Sequence, residues 1–365
     1  MKTVLLHDWL TGFRGGERVL EAFCEIFPEA DIHTLIYVPG STSKTIERHK
    51  IHTSFLNSWP GVEKHYRKFL PLFPKAAEGL KIEADVDVVL SSCHCVIKGV
   101  PKPAGAVHVS YIHSPMRYMY DQYDAYFGRE VASLPIRLGA ALFRDYLVNW
   151  DKRSNENVDF MIANSKFVRE RIRRYYERDA EVIYPFVDFG DFADVQKNPR
   201  SKKDYFVMVT AFAPNKRVDL AIEAFNELKL PLKIIGSGQL EKQLRAKAGP
   251  TIEFLGSVPR KTVVETLAES RALIFPGVED FGITPLEALA AGTPIIAYKA
   301  GGVLETLSEE NTVFFEEASP KSLANAVRIF EKEGREVRNP SLERYSRKRF
   351  QAEIKDFVEH ARLSK

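Results

Sequence analysis

Two series of short apolar runs constrain this chain most. Each run ends in a polar or glycine-bearing turn and opens into a stretch with helical spacing. Residues 4–6, Val-Leu-Leu, are the first run; the turn 7–16 follows, with Gly12, Gly15 and Gly16, and residues 17–27 then have helical spacing. The plan recurs at 87–90, 107–112 and 160–163, which end at Ser91-Ser92, His113 and Asn164-Ser165. Ser165 is placed to cap a helix over 166–176. Strands separated by helices imply a mostly parallel sheet. Ligands of such sheets sit beyond the carboxyl ends of the strands. The polar groups His7-Asp8, Ser91 to His94, His113-Ser114 and Asn164-Ser165 are therefore expected to converge on one crevice.

Tyr184-Pro185-Phe186-Val187-Asp188 leads into a polar stretch without hydrophobic period, 194–203, and the linker is placed near 186–203. A second series follows, with strands expected at 205–209, 232–235, 252–255, 272–275 and 294–297 and helices at 218–228, 263–269 and 285–291. The fold class read from this pattern is α/β, with two Rossmann-like domains. The expected domains are 1–187 and 188–345, with a final helical segment, 346–365.

Of the 365 residues, 45% are hydrophobic and 28% charged, with a net charge of +3, so nothing marks a nucleic-acid binder. The sparse set Cys24, Cys93 and Cys95 argues against a disulfide framework and fits a reducing compartment. Cys93-His94-Cys95 lacks the spacing and the second ligand pair of a zinc site. The N-terminus reads as no signal peptide, and no apolar run approaches the ~20 residues of a membrane span. The expected location is the cytoplasm, or the inner face of the cell membrane held from its surface. Two segments break the alternation, 54–80 and 115–150, and both interleave aromatic with basic residues. Such interleaving suits contact with an anionic bilayer surface; helices packing on their own domain account for it equally.

The strongest chemical signal runs from Gly277 to Pro294. A strand enters a loop containing Gly277 and Gly282, and a helix expected to begin at Pro285, with Thr284 as its N-cap, ends at Gly292. Free amides at a helix N-terminus hold phosphate. Glu279 in the loop and Glu287 on the helix are separated so as to grip two parts of one ligand. Upstream, Lys216 and Arg217 join a strand to a helix, where cations neutralise a diphosphate leaving group or serve as plain surface charges. Gly236 and Gly238, and Arg260 after Gly256-Ser-Val-Pro, follow other strands.

These residues resemble glycosyltransferase family 4, the retaining enzymes of GT-B fold, whose two Rossmann-like domains face a central cleft. Glu279 and Glu287 match the family's E-x7-E pattern within Phe-Gly-x-x-Pro-Leu-Glu-Ala. The resemblance implies that Glu279 contacts the donor sugar and Glu287 the ribose. It implies that Asp280, Phe281, Gly282, Ile283 and Thr284 hold sugar hydroxyls and phosphate through their backbone. Gly236 and Gly238 would approach the nucleotide, Arg260 would frame the base, and Gly15-Gly16 would close over the phosphate. Lys216 matches the family lysine, whereas the family arginine falls at Ala211; either Arg217 substitutes for it or a residue from elsewhere reaches in. His113 matches a histidine at the reacting centre. His113, Glu279, Lys216 and Arg217 are thus the expected catalytic set. Asp8, His94, Lys98 and Arg117 are expected to face the acceptor, and the last helix is expected to cross back to the first domain.

Within the family, His113-Ser-Pro-Met-Arg-Tyr, 163–169, Tyr184-Pro185 and 214–225 look like the mannosyltransferase branch of bacterial O-antigen and surface-polysaccharide assembly. That implies GDP-mannose as donor, a glycan or polyprenyl-diphosphate-linked acceptor, and no metal or other cofactor. A UDP-sugar enzyme of the same fold, a non-catalytic nucleotide-sugar sensor and a sugar-nucleotide epimerase are the rivals. A Rossmann dehydrogenase is disfavoured, because the first turn lacks G-x-G-x-x-G.

Overall fold

The computed structural model describes every residue except Glu130, Arg338, Asn339, Ser341 and Lys365. The chain forms two compact units, one of residues 1–185 and 347–365, the other of residues 186–346.

The first unit holds β1 (Thr3–His7), β2 (Asp31–Thr34), β3 (Ile51–Thr53), β4 (Val88–Cys93), β5 (Val107–Ile112), β6 (Phe160–Ala163) and β7 (Glu181–Val182). They form one sheet in the order β3-β2-β1-β4-β5-β6-β7, every pair parallel. The second unit holds β8 (Phe206–Val209), β9 (Leu232–Ile235), β10 (Ile252–Gly256), β11 (Leu273–Phe275), β12 (Ile295–Tyr298) and β13 (Thr312–Phe315), in the order β10-β9-β8-β11-β12-β13. Both are doubly wound sheets in which chain direction across the sheet reverses once. The reversal lies between β1 and β4 in one unit and between β8 and β11 in the other. At such a switch point the loops leaving two neighbouring strands part to opposite sides and open a crevice.

Burial explains which strands form. The central strands β1, β4 and β5 are buried along their whole length, as strands covered on both faces must be. Around the first sheet Leu6, Val89, Ile112, Trp150 and Ile172 share one core. Phe206, Phe225, Ile234, Ile274 and Val327 share the core of the second unit.

The last helix, Arg347–Leu363, belongs to the first unit. Its Phe350 ring stacks on Phe23 at 6.1 Å and meets Tyr111 edge-on at 5.7 Å. Arg347 reaches Glu21 at 2.6 Å and Glu25 at 3.0 Å on the first helix. Where the chain enters the second unit, the Val187 amide donates to the Tyr345 carbonyl at 2.9 Å, beside the point where it leaves. Among the described residues, no helix is long and apolar enough to cross a membrane.

Candidate functional site

Each unit carries a polar cluster at its own switch point. In the second unit, β8 leads into the loop 210–217 and β11 into the loop 276–282. The two loops touch, because Gly277 has no side chain: a Cβ there would stand 2.5 Å from the Asn215 carbonyl oxygen and 2.9 Å from the Lys216 Cα. This approach brings Lys216 Nζ to 2.5 Å from Glu279 Oε1, with each side chain about four-fifths buried. Glu279 is held from behind as well. Its carbonyl accepts from the Gly302 amide at 2.8 Å, and Gly301 and Gly302 lie where any Cβ would strike the 279–281 backbone.

The helix after this loop begins earlier than the punctuation implied. It spans Ile283–Ala290, with Gly282 as N-cap at φ 88° and no side-chain cap. Thr284 therefore lies inside the first turn instead of capping it. Only glycine takes that backbone without strain, and the first-turn amides are left without a side-chain acceptor. Asp280 and Phe281 are buried in this turn.

Glu287, mostly buried, lies 2.8 Å from the Arg260 guanidinium, and Arg260 Nε donates to Asp191 at 2.8 Å. Arg260 is thus an ion-pair partner of the second carboxylate. Burial opposes the Arg260 charge, but Glu287 and Asp191 hold it above the ordinary arginine range. Arg217 sits at φ 50° and points to Asp219 at 3.2 Å. Gly236 and Gly238 pack on the same crossing loop. A Cβ on Gly236 would fall 1.8 Å from the Thr210 carbonyl oxygen, and one on Gly238 2.8 Å from the Phe212 amide. Their first requirement is backbone contact.

In the first unit the register does the positioning. His7 and Ser92 are partners across β1 and β4, and the His113 amide donates to the Cys93 carbonyl at 2.8 Å. Ser92 Oγ lies 3.1 Å from His7 Nδ1 and 2.8 Å from His113 Nε2. Ser91, one residue earlier, faces the other side of the sheet, where it bonds Ser110 and His108. Gly16 opens the first helix, Gly15–Ile26, and a Cβ there would stand 3.4 Å from the His7 ring. Glu17, the next residue, lies 3.9 Å from His7 Nε2. Burial, with His94, His7 and Arg117 nearby, drives the His113 pKa well down; His94 is lowered by burial despite Asp8. Both imidazoles are therefore neutral near pH 7.

Two of the expected acceptor residues are corrected here. Asp8 is buried, and its carboxylate accepts from the backbone amides of His94, Cys95, Val96 and Ile97 at 2.7–3.0 Å. Lys98 is fully buried, donating to Asp151 Oδ1 at 2.7 Å, the Asp151 carbonyl at 2.9 Å and Ser154 Oγ at 2.5 Å. The sequence gives no sign of a partner 53 residues away. Both shape the 94–99 loop and are closed to a ligand. His94 remains half-buried on that loop, its Nδ1 3.2 Å from Asp8 and its ring edge-on to Trp9 at 4.4 Å. Arg117 is half-buried. Cys93 and Cys95 are buried thiols, and no metal-binding cluster occurs among the described residues. Glu17 went unnoticed as a site residue, although its place directly after Gly15-Gly16, at the mouth of a strand-turn-helix unit, is a readable signal.

Two family models match the chain in succession, Glycosyltransferase Family 4 over residues 13–190 and Glycosyl transferases group 1 over residues 191–349. Human alpha-1,3/1,6-mannosyltransferase ALG2 is 25% identical over 230 residues, covering 53% of this chain and 54% of that protein. A GDP-mannose-dependent alpha-(1-6)-phosphatidylinositol dimannoside mannosyltransferase of Mycobacterium tuberculosis is 27% identical over 207 residues, 53% of each chain. This chain thus spans about half the length of the curated relatives it matches. Among solved structures, sucrose-phosphate synthase from Thermosynechococcus elongatus superposes with a TM-score of 0.68 at 16% identity, over 100% of this chain and 97% of that one. Anabaena HepE in complex with UDP-glucose gives 0.68 at 16% identity, over 99% and 100%. The fold is that of the GT-B glycosyltransferases. With family models matched in succession from residue 13 to residue 349, and with both sheets of that fold present, the chain belongs to glycosyltransferase family 4.

Proposed function

We propose that this chain is a retaining glycosyltransferase that moves mannose from GDP-mannose onto a lipid-linked or polysaccharide acceptor in surface-glycan assembly. The observation that carries the reading is the Lys216–Glu279 pair at the switch point of the second unit. A cation and a carboxylate held together there suit a ligand with a diphosphate at one end and hydroxyls at the other. Lys216, aided by Arg217 and the backbone amides of Ile283 and Thr284, stabilises the departing diphosphate. Glu279, released from the lysine, accepts from the sugar hydroxyls. Glu287 takes the ribose, and His113 acts on the transferred sugar. The acceptor hydroxyl attacks the face the leaving group vacates, and a diphosphate oxygen takes its proton. Lysine and helix amides supply the positive charge, so this reading requires no metal. The mannosyltransferase relatives support mannose and, in one case, GDP-mannose. The UDP-glucose complex of a protein with the same fold motivates a second reading, a UDP-sugar donor.

Thermal shift against GDP, UDP, ADP and their sugar conjugates separates these, since a ligand of the native state raises the midpoint. A selective rise with GDP and GDP-mannose is expected. A rise with the UDP series alone overturns the mannose assignment, and no rise with any nucleotide overturns the donor site.

The same reading puts the first unit against an anionic membrane. Its support is the helix Leu134–Arg153, which exposes Leu134, Leu138 and Leu142 at 62, 62 and 75% along one stripe. Residues 131–144 contain Arg137 and Arg144 and no acid, and arginines flanking an apolar stripe suit anionic headgroups. Four aliphatic side chains, counting Ile136, fall well short of the ~800 Å² per partner that a stable dimer buries. In the segment 54–80, Phe55 and Trp59 are exposed, while Leu56, Val62, Tyr66 and Phe73 pack inward. Co-sedimentation with phosphatidylglycerol vesicles is expected for the wild type and is lost in Leu138→Glu/Leu142→Glu. Equal recovery of both proteins, or a concentration-dependent dimer that the double variant abolishes, counts against the membrane.

A further inference from the structure

Three side chains behind His113 have no part in the mechanism above. Ser92 Oγ stands between two imidazoles, 3.1 Å from His7 Nδ1 and 2.8 Å from His113 Nε2. His7 is fully buried, its Nε2 makes no hydrogen bond, and the ionic neighbour of that nitrogen is Glu17 Oε1 at 3.9 Å. The Glu17 side chain is itself only 8% exposed. It is tied in place through its second oxygen, which accepts from the Arg14 amide at 2.9 Å.

A hydroxyl carries one proton, and neutral imidazole carries one proton on one of two nitrogens. The directions along this chain are therefore locked to one another. If Ser92 donates to His7 Nδ1, it must accept from His113 Nε2–H. If His7 Nδ1 carries the proton, Ser92 donates to His113 Nε2 and the His113 proton sits on Nδ1. Glu17 breaks the tie. In a buried setting a carboxylate facing Nε2 favours the tautomer that turns an N–H toward it. Neutral His7 then accepts at Nδ1, and His113 holds its proton on Nε2. The other nitrogen of His113, Nδ1, is then the acceptor.

We infer that His7, Ser92 and Glu17 form a positioning relay that fixes which nitrogen of His113 carries the proton. The relay makes His113 an acceptor toward a hydroxyl at Nδ1. That use of Nδ1 rests on the sugar-transfer reading; the tautomer itself does not. The charged and titratable groups bearing on the relay are Glu17 from the first helix, His94 and Asp8 from the loops after β4 and β1, and Arg117 from the loop after β5. His113 itself stays neutral through burial and the nearby His94, His7 and Arg117, so its tautomer, and not its charge, is what the relay can set.

The test is two-bond ¹H–¹⁵N correlation on ¹⁵N-histidine-labelled full-length protein without ligand, with the His113 signals assigned by their loss in His113→Asn. At pH 7.5 the wild type is expected to show His113 protonated on Nε2 alone. Glu17→Gln removes the charge at constant size, and Ser92→Ala removes the link. Each is expected to replace that single pattern with a tautomer mixture while the remaining amide spectrum stays native. A wild-type proton on Nδ1, or an unaltered His113 pattern in Glu17→Gln, overturns the relay. Glu17→Gln decides the matter should Ser92→Ala not fold. Because no nucleotide is added, a failed relay leaves the donor assignment standing, and a failed donor assignment leaves the relay testable.

Discussion

Lys216 and Glu279 neutralise each other at 2.5 Å in a pocket where both are mostly buried. A buried pair of this kind loses heavily when one partner is removed and the other is left unpaired. Glu279→Ala therefore leaves Lys216 alone beside the loop, but at a site where the side chain keeps about a fifth of its exposure and water can reach it. The expected outcome is a native far-UV spectrum with transfer reduced by roughly 10²–10³-fold, the size seen when one preorganised stabilising group is deleted. Wild-type turnover in that variant contradicts the assignment. A second residue-scale consequence concerns acid. His33 and His108 are buried neutral, each held down to about 4, chiefly by burial. In the unfolded chain these rings take up protons near pH 6.5, so between 6.5 and 4 the unfolded state binds more protons and stability falls as pH falls. His108 alone accounts for about 3 kcal/mol across that window. Urea midpoints measured at pH 7.5, 6 and 5 should decline stepwise, and His108→Asn should flatten the slope. A midpoint independent of pH would exclude neutral burial of these rings.

At the scale of elements, the central strands and the edge strand β10 are readable, whereas β2, β3 and β7 are not. β6 and β8 are continuous apolar runs, and β4 opens with one, because both sheet faces are covered. β3 and β7 are edge strands of three and two residues, and β2 is Asp-Ile-His-Thr; none has a period to read. The donor loop was legible because glycine, proline and acids fall at fixed places along it. Its meaning as a clamp was not, because Gly301 and Gly302 act on residues some twenty positions away. Gly302→Ala would put a carbon 2.2 Å from the Asp280 carbonyl oxygen, and backbone is what would have to move. It is expected to lower the melting temperature and to displace Glu279, with a stability loss of about 1–3 kcal/mol. An alanine variant with unchanged melting and nucleotide affinity would show the clamp to be slack. The burial of Lys98 and Asp8 was beyond sequence reasoning for a related cause. Strand-end position brings a polar residue to a crevice, but whether it faces the crevice or the loop beneath depends on partners far along the chain.

At the scale of the whole molecule, the last helix completes the first unit. Phe350, Ile354, Val358 and Ala361 are buried, and Phe350 fills the space between Phe23 and Tyr111. Truncation before Phe350 should leave that aromatic cavity open and cost several kcal/mol, since removing one buried phenylalanine side chain alone costs about 3–5 kcal/mol. A melting curve identical to that of the full chain would contradict the packing described.

The Val187–Tyr345 hydrogen bond means that the second unit enters and leaves the polypeptide at neighbouring points. During synthesis this nesting sets an order. The first 185 residues emerge early, but the helix that closes their core comes from residues 347–363, after all of the second unit has been made. At ~5–20 residues per second that interval is on the order of ten seconds. For that time the ribosome carries a first unit whose Phe23 and Tyr111 lack their cover, while the second unit, contiguous in the chain, can finish folding. The unit begun before its neighbour is thus completed after it.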